Sequence, residues 1–358
     1  MNALLLAPEL FASEGGIPRI LRLYLKALCE LAEPSGSVTV VALNDATFDS
    51  RDLRRYSNNR LVDWAACDRN KIAFVKAARR LSKTADLVVC GHVGQLPVAW
   101  GLRKLSRKKF KYTLVAHGIE VWRPFSRLES LALRGADRIW CVSEFTRREF
   151  LRHCKVPLSN TAVLHNALDP HLQLAQPAAP STGFDILTIS RLNNSDSYKG
   201  IDHLIEAMPA IRREIPAARL RVVGRGDDLP RLHQIAGRLH QSSAIDFLGY
   251  VNDDELKREL SACRVFALPS QKEGFGLVFL EAMIHGKPCV GARDGGIPEV
   301  LTPESGLLVG YGNIPELAKA CVDALRRTWE PGAIQNRAAQ FSYSRFRDKL
   351  TSLIPISA

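Results

Sequence analysis

Short apolar segments alternate with helical patterns along the whole chain, and the alternation runs in two successive blocks. In the first block, strand-like runs such as residues 87–90 and 112–116 are separated by helical stretches such as residues 18–31. The second block begins at residue 185 and repeats the pattern. Such alternation is typical of parallel sheets, because a helix must carry the chain back before the next parallel strand can start. The sequence therefore predicts two α/β domains, each built as a Rossmann-like β/α/β sheet.

A proline-containing break separates the two blocks. Residues 169–183 hold three prolines and no apolar periodicity, which indicates a linker. We therefore predict an N-terminal domain over residues 1–168, a C-terminal domain over residues 184–341, and a last helix within 342–358 that packs back on the first domain. Ligands of such sheets bind at the carboxyl ends of the strands, so we expect a site in a cleft that the two domains face.

The cysteines and the apolar segments indicate the compartment. None of the eight cysteines forms a Cys-x-x-Cys pair, so a zinc site has little support and reduced, buried thiols are expected. No apolar run approaches the roughly 18 residues of a membrane span. The first residues lack the basic region of a signal peptide. We therefore expect the protein to work in the cytoplasm.

The formal net charge of +12 is concentrated in the first half of the chain. The first 180 residues carry 27 Lys and Arg against 16 Asp and Glu, whereas the remainder carries 22 against 21. This excess indicates an anionic partner of the first domain, such as an anionic membrane surface or a lipid-linked acceptor. Binding of nucleic acid is disfavoured, because aromatic residues are not interleaved with the cations.

Two segments hold much of this positive charge. Residues 103–111 contain six cations in nine positions. Residues 71–83 are also basic and carry apolar side chains at helical spacing: Ile72, Val75, Ala78 and Leu81. Two interpretations stay open: a stripe facing the core with a solvated basic back, or a helix lying on the inner face of a membrane.

A glycine turn in the second block carries the most specific signal. Gly274 and Gly276 let a ligand approach the backbone, and the helix that starts at Leu277 offers free N–H groups that suit a phosphate. Two carboxylates, Glu273 and Glu281, lie on either side of this helix start. Carboxylates beside an anion site are unfavourable unless they bind hydroxyls, so their positions point to sugar and ribose hydroxyls.

The spacing of Glu273 and Glu281 within Glu-Gly-Phe-Gly-Leu resembles the signature of the retaining glycosyltransferases of family 4, the glycosyl transferases group 1. The resemblance implies the GT-B fold, in which two Rossmann-like domains face each other across a cleft. It also implies that Glu273 contacts the transferred sugar and that Glu281 contacts the ribose. The residues whose backbone would hold the donor diphosphate are Gly274, Phe275, Gly276 and Leu277.

Two cations follow the first strand of the second block. Arg191 offers a bidentate fork and Lys199 a point charge to phosphate oxygens. They resemble the Arg and Lys-Gly pair of the same family, although residues 193–197 lengthen the loop between them. The chain has no Asp-x-Asp motif. We therefore expect a reaction that needs no metal and no cofactor beyond the nucleotide-diphosphate sugar donor.

Further candidates lie where other predicted strands end. Gly16 resembles the family's glycine loop near the donor phosphate, and Val251, after Tyr250, resembles the segment that brackets the base. Gly224 suits either the nucleotide pocket or a tight strand-to-helix turn. His117 is a candidate to hydrogen-bond the transferred sugar or its leaving group, with a purely structural histidine as the alternative.

The resemblance implies a retaining glycosyltransferase that moves a sugar from a nucleotide-diphosphate sugar to an acceptor hydroxyl. Assembly of a bacterial cell-surface glycan or exopolysaccharide on a lipid-linked acceptor is the expected setting. His92 and Glu120, in the first domain, are candidates for acceptor contacts. The alternatives are a nucleotide-sugar epimerase of the same shape and a non-catalytic nucleotide- or glycan-binding module. The predicted catalytic residues are His117, Arg191, Lys199 and Glu273.

Overall fold

The structure, a computed structural model, describes residues 1–172 and 183–355. The chain divides into two compact units: unit 1 combines Met1–Asp169 with Ser342–Ala358, and unit 2 comprises Pro170–Phe341. Ten of the fifteen residues of the predicted linker lie outside the described residues. Each unit is built around one parallel sheet, which confirms the prediction of two Rossmann-like α/β domains.

Unit 1 contains a parallel sheet of seven strands in the order β3-β2-β1-β4-β5-β6-β7. The strands are β1 (Asn2–Ala7), β2 (Ser37–Ala42), β3 (Leu61–Ala66), β4 (Leu87–Cys90), β5 (Lys111–Ala116), β6 (Arg138–Cys141) and β7 (Thr161–Val163). Its helices before the linker are α1 (Gly16–Leu31), α2 (Ser50–Arg55), α3 (Lys71–Leu81), α4 (Leu96–Leu105), α5 (Arg127–Arg134) and α6 (Glu144–His153). The central strands are apolar almost throughout, because helices cover both faces of the sheet.

Unit 2 contains six parallel strands in the order β10-β9-β8-β11-β12-β13. The strands are β8 (Asp185–Ile189), β9 (Arg219–Val223), β10 (Ile245–Gly249), β11 (Val265–Leu268), β12 (Cys289–Ala292) and β13 (Gly306–Val309). The helices are α7 (Ile201–Glu214), α8 (Leu229–Arg238), α9 (Asp253–Ala262), α10 (Leu277–Ile284), α11 (Ile297–Val300), α12 (Ile314–Arg326) and α13 (Pro331–Ala339).

The last helix, α14 (Tyr343–Leu353), belongs to unit 1 and packs against α1. Its Phe346 meets Tyr24 of α1 edge to face, with ring centroids 5.0 Å apart. Tyr24 in turn stacks on Trp140 of β6 at 5.9 Å. These fully or nearly fully buried rings attach the end of the chain to the first sheet, because aromatic pairs contribute both buried area and a preferred geometry.

Helix α3 turns only part of its predicted apolar stripe toward the core. Phe74, Ala78 and Leu81 are buried, but Ile72 and Val75 are 69% and 43% exposed. The interpretation that placed Ile72 and Val75 in the core is therefore wrong. The larger Phe74 side chain occupies the core position, which turns the other two side chains to the outside.

The strand order changes direction once in each sheet, between β1 and β4 in unit 1 and between β8 and β11 in unit 2. Loops on either side of such a switch point leave in opposite directions and open a crevice at the carboxyl ends of the strands. The loops after β8 and β11 carry Arg191, Lys199 and Glu273. The switch point of unit 2 is thus the place where the predicted donor residues meet.

Candidate functional site

An ion pair joins the two loops at the switch point of unit 2. Lys199 Nζ donates to Glu273 Oε2 at 2.5 Å, and the two side chains are only 16% and 19% exposed. Burial by itself lowers the pKa of Lys199, but the charge of Glu273 and the hydrogen bond to it outweigh burial and raise that pKa. Lys199 is therefore held in its charged form, in the crevice and in contact with Glu273.

The loop after β12 fixes the backbone of Glu273. Gly296 N donates to the Glu273 carbonyl oxygen at 2.8 Å. Gly295 has φ +61°, and a Cβ placed on it would lie 2.3 Å from the same oxygen. A Cβ on Gly296 would lie 2.4 Å from the carbonyl oxygen of Gly274. Only glycines allow these two loops to touch, so the pair Gly295–Gly296 is part of the site although sequence reasoning missed it.

Helix α10 begins beside Glu273 with an open N-terminus. Gly276 is its N-cap, with φ +97°, and no side chain caps the helix within the described residues. Its first turn, from Leu277, thus presents backbone N–H groups and the positive end of the helix dipole. Phe275 is buried and packs edge to face on Phe341 at 5.4 Å, which anchors the turn. This arrangement suits an anion.

Glu281 lies in the second turn of α10 and is buried, with 6% of its surface exposed. Its carboxylate sits on the helix that starts at the glycine turn, as the spacing predicted. Its contact with a ribose stays a prediction.

Arg191 is positioned by a carboxylate that the sequence did not single out. Asp196 is 7% exposed and accepts three hydrogen bonds, from Arg191 Nη2 at 3.1 Å, Asn193 Nδ2 at 3.1 Å and Tyr198 Oη at 3.0 Å. The long loop after β8 thus folds around Asp196 as 3-10 turns, Asn194–Lys199, with a kink at Asp196 itself. The extra residues do not prevent Lys199 from reaching Glu273.

The same loop packs tightly on the glycine turn after β9. A Cβ on Gly224 would lie 1.8 Å from the Ser190 carbonyl oxygen, and one on Gly226 would lie 2.1 Å from the Leu192 carbonyl. Leu192 N donates to the Arg225 carbonyl oxygen at 3.0 Å. This packing explains why residue 224 is a glycine, because the tight turn leaves no room for a side chain. A contact between Gly224 and the nucleotide stays a prediction.

An exposed aromatic ring lies at the end of the neighbouring strand β10. Tyr250 is 60% exposed, and the Arg225 guanidinium lies 5.1 Å from its ring centroid. Val251 follows it and is half-buried. A planar, exposed ring with a cation above it suits stacking on a base. The contact of the Tyr250–Val251 segment with the base stays a prediction.

In unit 1, His117 lies at the end of β5 and is buried. Its Nε2 is 2.8 Å from the Gly91 carbonyl oxygen, which can only accept, so Nε2 carries the proton and Nδ1 is the acceptor atom. Burial lowers the pKa of His117 to about 4, and the bond to Gly91 offsets only part of this. The ring is therefore neutral at pH 7.

Two neighbours complete this group. Glu120 Oε1 accepts from His117 N at 2.6 Å and from Gly118 N at 3.1 Å, so Glu120 holds the loop backbone. Gly94 N donates to His92 Nδ1 at 3.0 Å, which places the proton of neutral His92 on Nε2. Burial lowers the pKa of His92, although the charge of Glu120 opposes this. The group thus offers a neutral acceptor and a neutral donor, a combination that suits sugar hydroxyls.

Gly16 is the first residue of α1, after the extended N-cap Gly15. No side chain caps α1 within the described part of the chain. Its N-terminus therefore adds a second set of backbone donors, at the switch point of the first sheet.

Within the described residues, the cysteines and acidic side chains form no metal centre. All eight cysteines are buried and free. Over residues 1–172 and 183–355, no group of three or more His, Cys, Asp or Glu is placed to hold a metal ion. The same ranges contain no helix that is long and apolar enough to cross a membrane.

The low pKa of His117 predicts a pH dependence of stability. Between about pH 6.5 and pH 4 the unfolded chain protonates this histidine and the folded chain does not, so the free energy of unfolding falls as the pH is lowered through this window. His117→Asn is expected to show a shallower fall. Chemical denaturation of both proteins between pH 7.5 and 4 measures the free energy of unfolding at each pH. If this free energy falls equally with pH in both proteins, burial of His117 does not explain the pH dependence.

Family models match both halves of the chain. A model described as Glycosyltransferase Family 4 matches residues 22–172, and one described as Glycosyl transferases group 1 matches residues 183–327. Together the two matches make up most of the chain.

Curated relatives match parts of the chain. Over 228 residues it is 31% identical to a GDP-mannose-dependent alpha-(1-6)-phosphatidylinositol monomannoside mannosyltransferase of Mycobacterium tuberculosis, covering 58% of the chain and 59% of that relative. Over 159 residues it is 32% identical to an N-acetyl-alpha-D-glucosaminyl L-malate synthase of Bacillus anthracis, covering 44% of the chain and 41% of that relative. The matched stretches thus span about half the length of these relatives.

A solved structure matches the chain over nearly its whole length. The crystal structure of Anabaena Alr3699/HepE in complex with UDP and glucose has a TM-score of 0.80 to the chain at 22% identity and covers 98% of both chains. At this identity the similarity establishes a shared fold.

Proposed function

Because the chain belongs to the group 1 glycosyltransferases of family 4, we propose that it moves a sugar from a nucleotide-diphosphate sugar to an acceptor hydroxyl, with retention of the anomeric configuration. The observation that carries this proposal is the ion pair of Lys199 and Glu273, set at a sheet switch point beside the open N-terminus of α10. A cation, a carboxylate and a helix start at one point match a ligand that combines phosphates with hydroxyls.

Donor binding divides among the elements of unit 2. The diphosphate would lie on the N-terminus of α10, with Arg191 and Lys199 on its oxygens. Glu273 would accept from hydroxyls of the transferred sugar, and Glu281 would accept from the ribose. The base would lie near Tyr250 and Val251, where an exposed ring is available for stacking.

The reaction then depends on stabilising the leaving diphosphate. As the bond to the anomeric carbon breaks, negative charge grows on the diphosphate, and Arg191, Lys199 and the first backbone amides of α10 would stabilise that charge. These groups can supply the positive charge that a metal supplies in other transferases, so we propose that no metal is needed. Activity in excess EDTA is the corresponding check.

The acceptor would bind to unit 1. His117 Nδ1 and His92 Nε2–H can hydrogen-bond sugar hydroxyls without changing protonation at pH 7. The positive charge of this half favours an anionic, lipid-linked acceptor. The Mycobacterium tuberculosis relative is named as acting on a phosphatidylinositol monomannoside, which supports a lipid-linked acceptor.

The loop carboxylate Asp196 yields a prediction about donor affinity. Asp196→Asn keeps the size of the side chain but removes the charge that holds Arg191. Because Arg191 is 62% exposed, the loss is modest, and we expect the donor KM to rise roughly 5- to 10-fold with a smaller change in kcat. The matched control, Asn193→Ala, removes another hydrogen bond to Asp196 and should leave KM within about twofold. Steady-state kinetics measure KM and kcat of both variants. An unchanged donor KM in Asp196→Asn would contradict the role of Asp196 in positioning Arg191.

A donor screen tests the proposed function. UDP-, GDP-, ADP- and dTDP-sugars are added to the purified chain, and a ligand of the folded state raises the Tm by mass action. Each binding donor is then incubated with and without candidate acceptors, and the anomeric signals of the product are recorded by NMR. Consumption of donor that requires an acceptor and retains configuration supports the proposal. Conversion of donor alone would show an epimerase, and binding without turnover would show a silent module.

A further inference from the structure

Helix α3 exposes apolar side chains among cations. The α3 face comprises the outward residues Lys71, Ile72, Val75, Lys76 and Arg79, and all five are exposed. Residues 71–81 contain no acidic residue. Leaving Ile72 69% exposed in water is unfavourable, and a mixed face of aliphatic and basic side chains is typical of a helix that lies on a lipid surface.

The α3 face continues onto the turn after α4. Lys108 Nζ donates to the Thr84 carbonyl oxygen at 3.0 Å, so this turn lies against the end of α3. Leu105, the last residue of α4 directly before this turn, is 80% exposed and is flanked by exposed lysines and arginines. The exposed apolar side chains thus extend beyond a single helix.

The surroundings of this surface remain strongly positive. Residues 68–111 contain twelve Lys and Arg against two Asp. One of these, Asp86, accepts from Lys108 Nζ at 2.7 Å, and Asp63 of the edge strand pairs with Arg80. Lys71, Lys76 and Arg79 make no ion pair among the described residues. Their charge is available to an outside partner.

We propose that the α3 face and the turn around Leu105 bind an anionic lipid bilayer. Aliphatic side chains enter the boundary between headgroups and acyl chains, while the cations meet lipid phosphates. Nucleic acid fits less well, because Ile72, Val75 and Leu105 cannot stack on bases. This inference is linked to the proposed function at one point: a protein bound to the bilayer through this surface could reach a lipid-linked acceptor. Vesicle binding needs neither donor nor acceptor, so the two proposals can fail separately.

Sedimentation with vesicles tests this surface. The full chain is mixed with vesicles of phosphatidylcholine alone or with one third phosphatidylglycerol, at low and high salt. We expect binding to the anionic vesicles that weakens as salt rises. Lys76→Glu with Arg79→Glu should reduce the partition coefficient about tenfold or more, and Ile72→Ser with Val75→Ser should reduce it several-fold.

Matched variants in the same unit serve as controls. Arg345→Glu with Lys349→Glu makes the same charge change on the exposed side of α14, and Leu158→Ser removes an apolar residue that is 61% exposed elsewhere. Both should bind vesicles like the original chain. No binding, equal binding to neutral and anionic vesicles, equal losses in the controls, or binding to RNA in place of vesicles would each overturn the proposal.

Discussion

Glu273→Ala is expected to lower kcat/KM by roughly 100-fold or more. A hydrogen bond to a charged group contributes about 1.5–3 kcal/mol, so two lost sugar hydroxyl contacts correspond to at least that factor. The change also leaves Lys199 without its partner in a crevice where it is only 16% exposed. Initial rates with the donor identified by the screen measure the effect.

The control for this variant is Glu206→Ala, which removes an exposed glutamate of α7 in the same unit. It should keep activity within about twofold and a normal Tm. If Glu273→Ala folds like the original chain and turns over at a similar rate, Glu273 does not hold the sugar.

Lys199→Met is expected to have the second large effect, a fall in kcat of roughly 100- to 1,000-fold. Methionine keeps the length of the side chain but removes the charge that stabilises the leaving diphosphate, and removal of one such group from a transition state has an effect of this size. Arg191→Ala acts on the same charge and should also lose most activity. Lys319→Ala, on the exposed side of α12, is the matched control.

The double variant of Lys199 and Glu273 refines this test. Because the two groups contact each other at 2.5 Å, their effects should not add. A loss of activity in the double variant equal to the sum of the two single losses, expressed as free energies, would contradict a shared site.

Most of the fold could be predicted from the sequence, because buried parallel strands leave a clear pattern. Strands of a parallel sheet are buried on both faces, so they appear as short apolar runs, and β4 begins and ends where the apolar run at residues 87–90 does. Strand β3 was not predicted. It is the edge strand of its sheet, and its Val62 and Trp64 are about half exposed, so neither an apolar run nor a clean alternation marks it.

The site was readable only in part. Glu273, Glu281 and Lys199 follow from a strand–glycine–helix pattern, which is local in sequence. The role of Asp196 depends on how a lengthened loop closes on itself, and no residue spacing encodes that. The contact of Gly295 with Glu273 joins loops after different strands, although a glycine pair at a strand end was a signal that pointed to a close approach.

The most direct measurement is a crystal structure with a bound nucleotide-diphosphate sugar. We expect phosphate oxygens within hydrogen-bond distance of Arg191, Lys199 and the first amides of α10, with sugar hydroxyls on Glu273 and the ribose on Glu281. A donor bound elsewhere in the chain, or these four side chains turned away from it, would contradict the account.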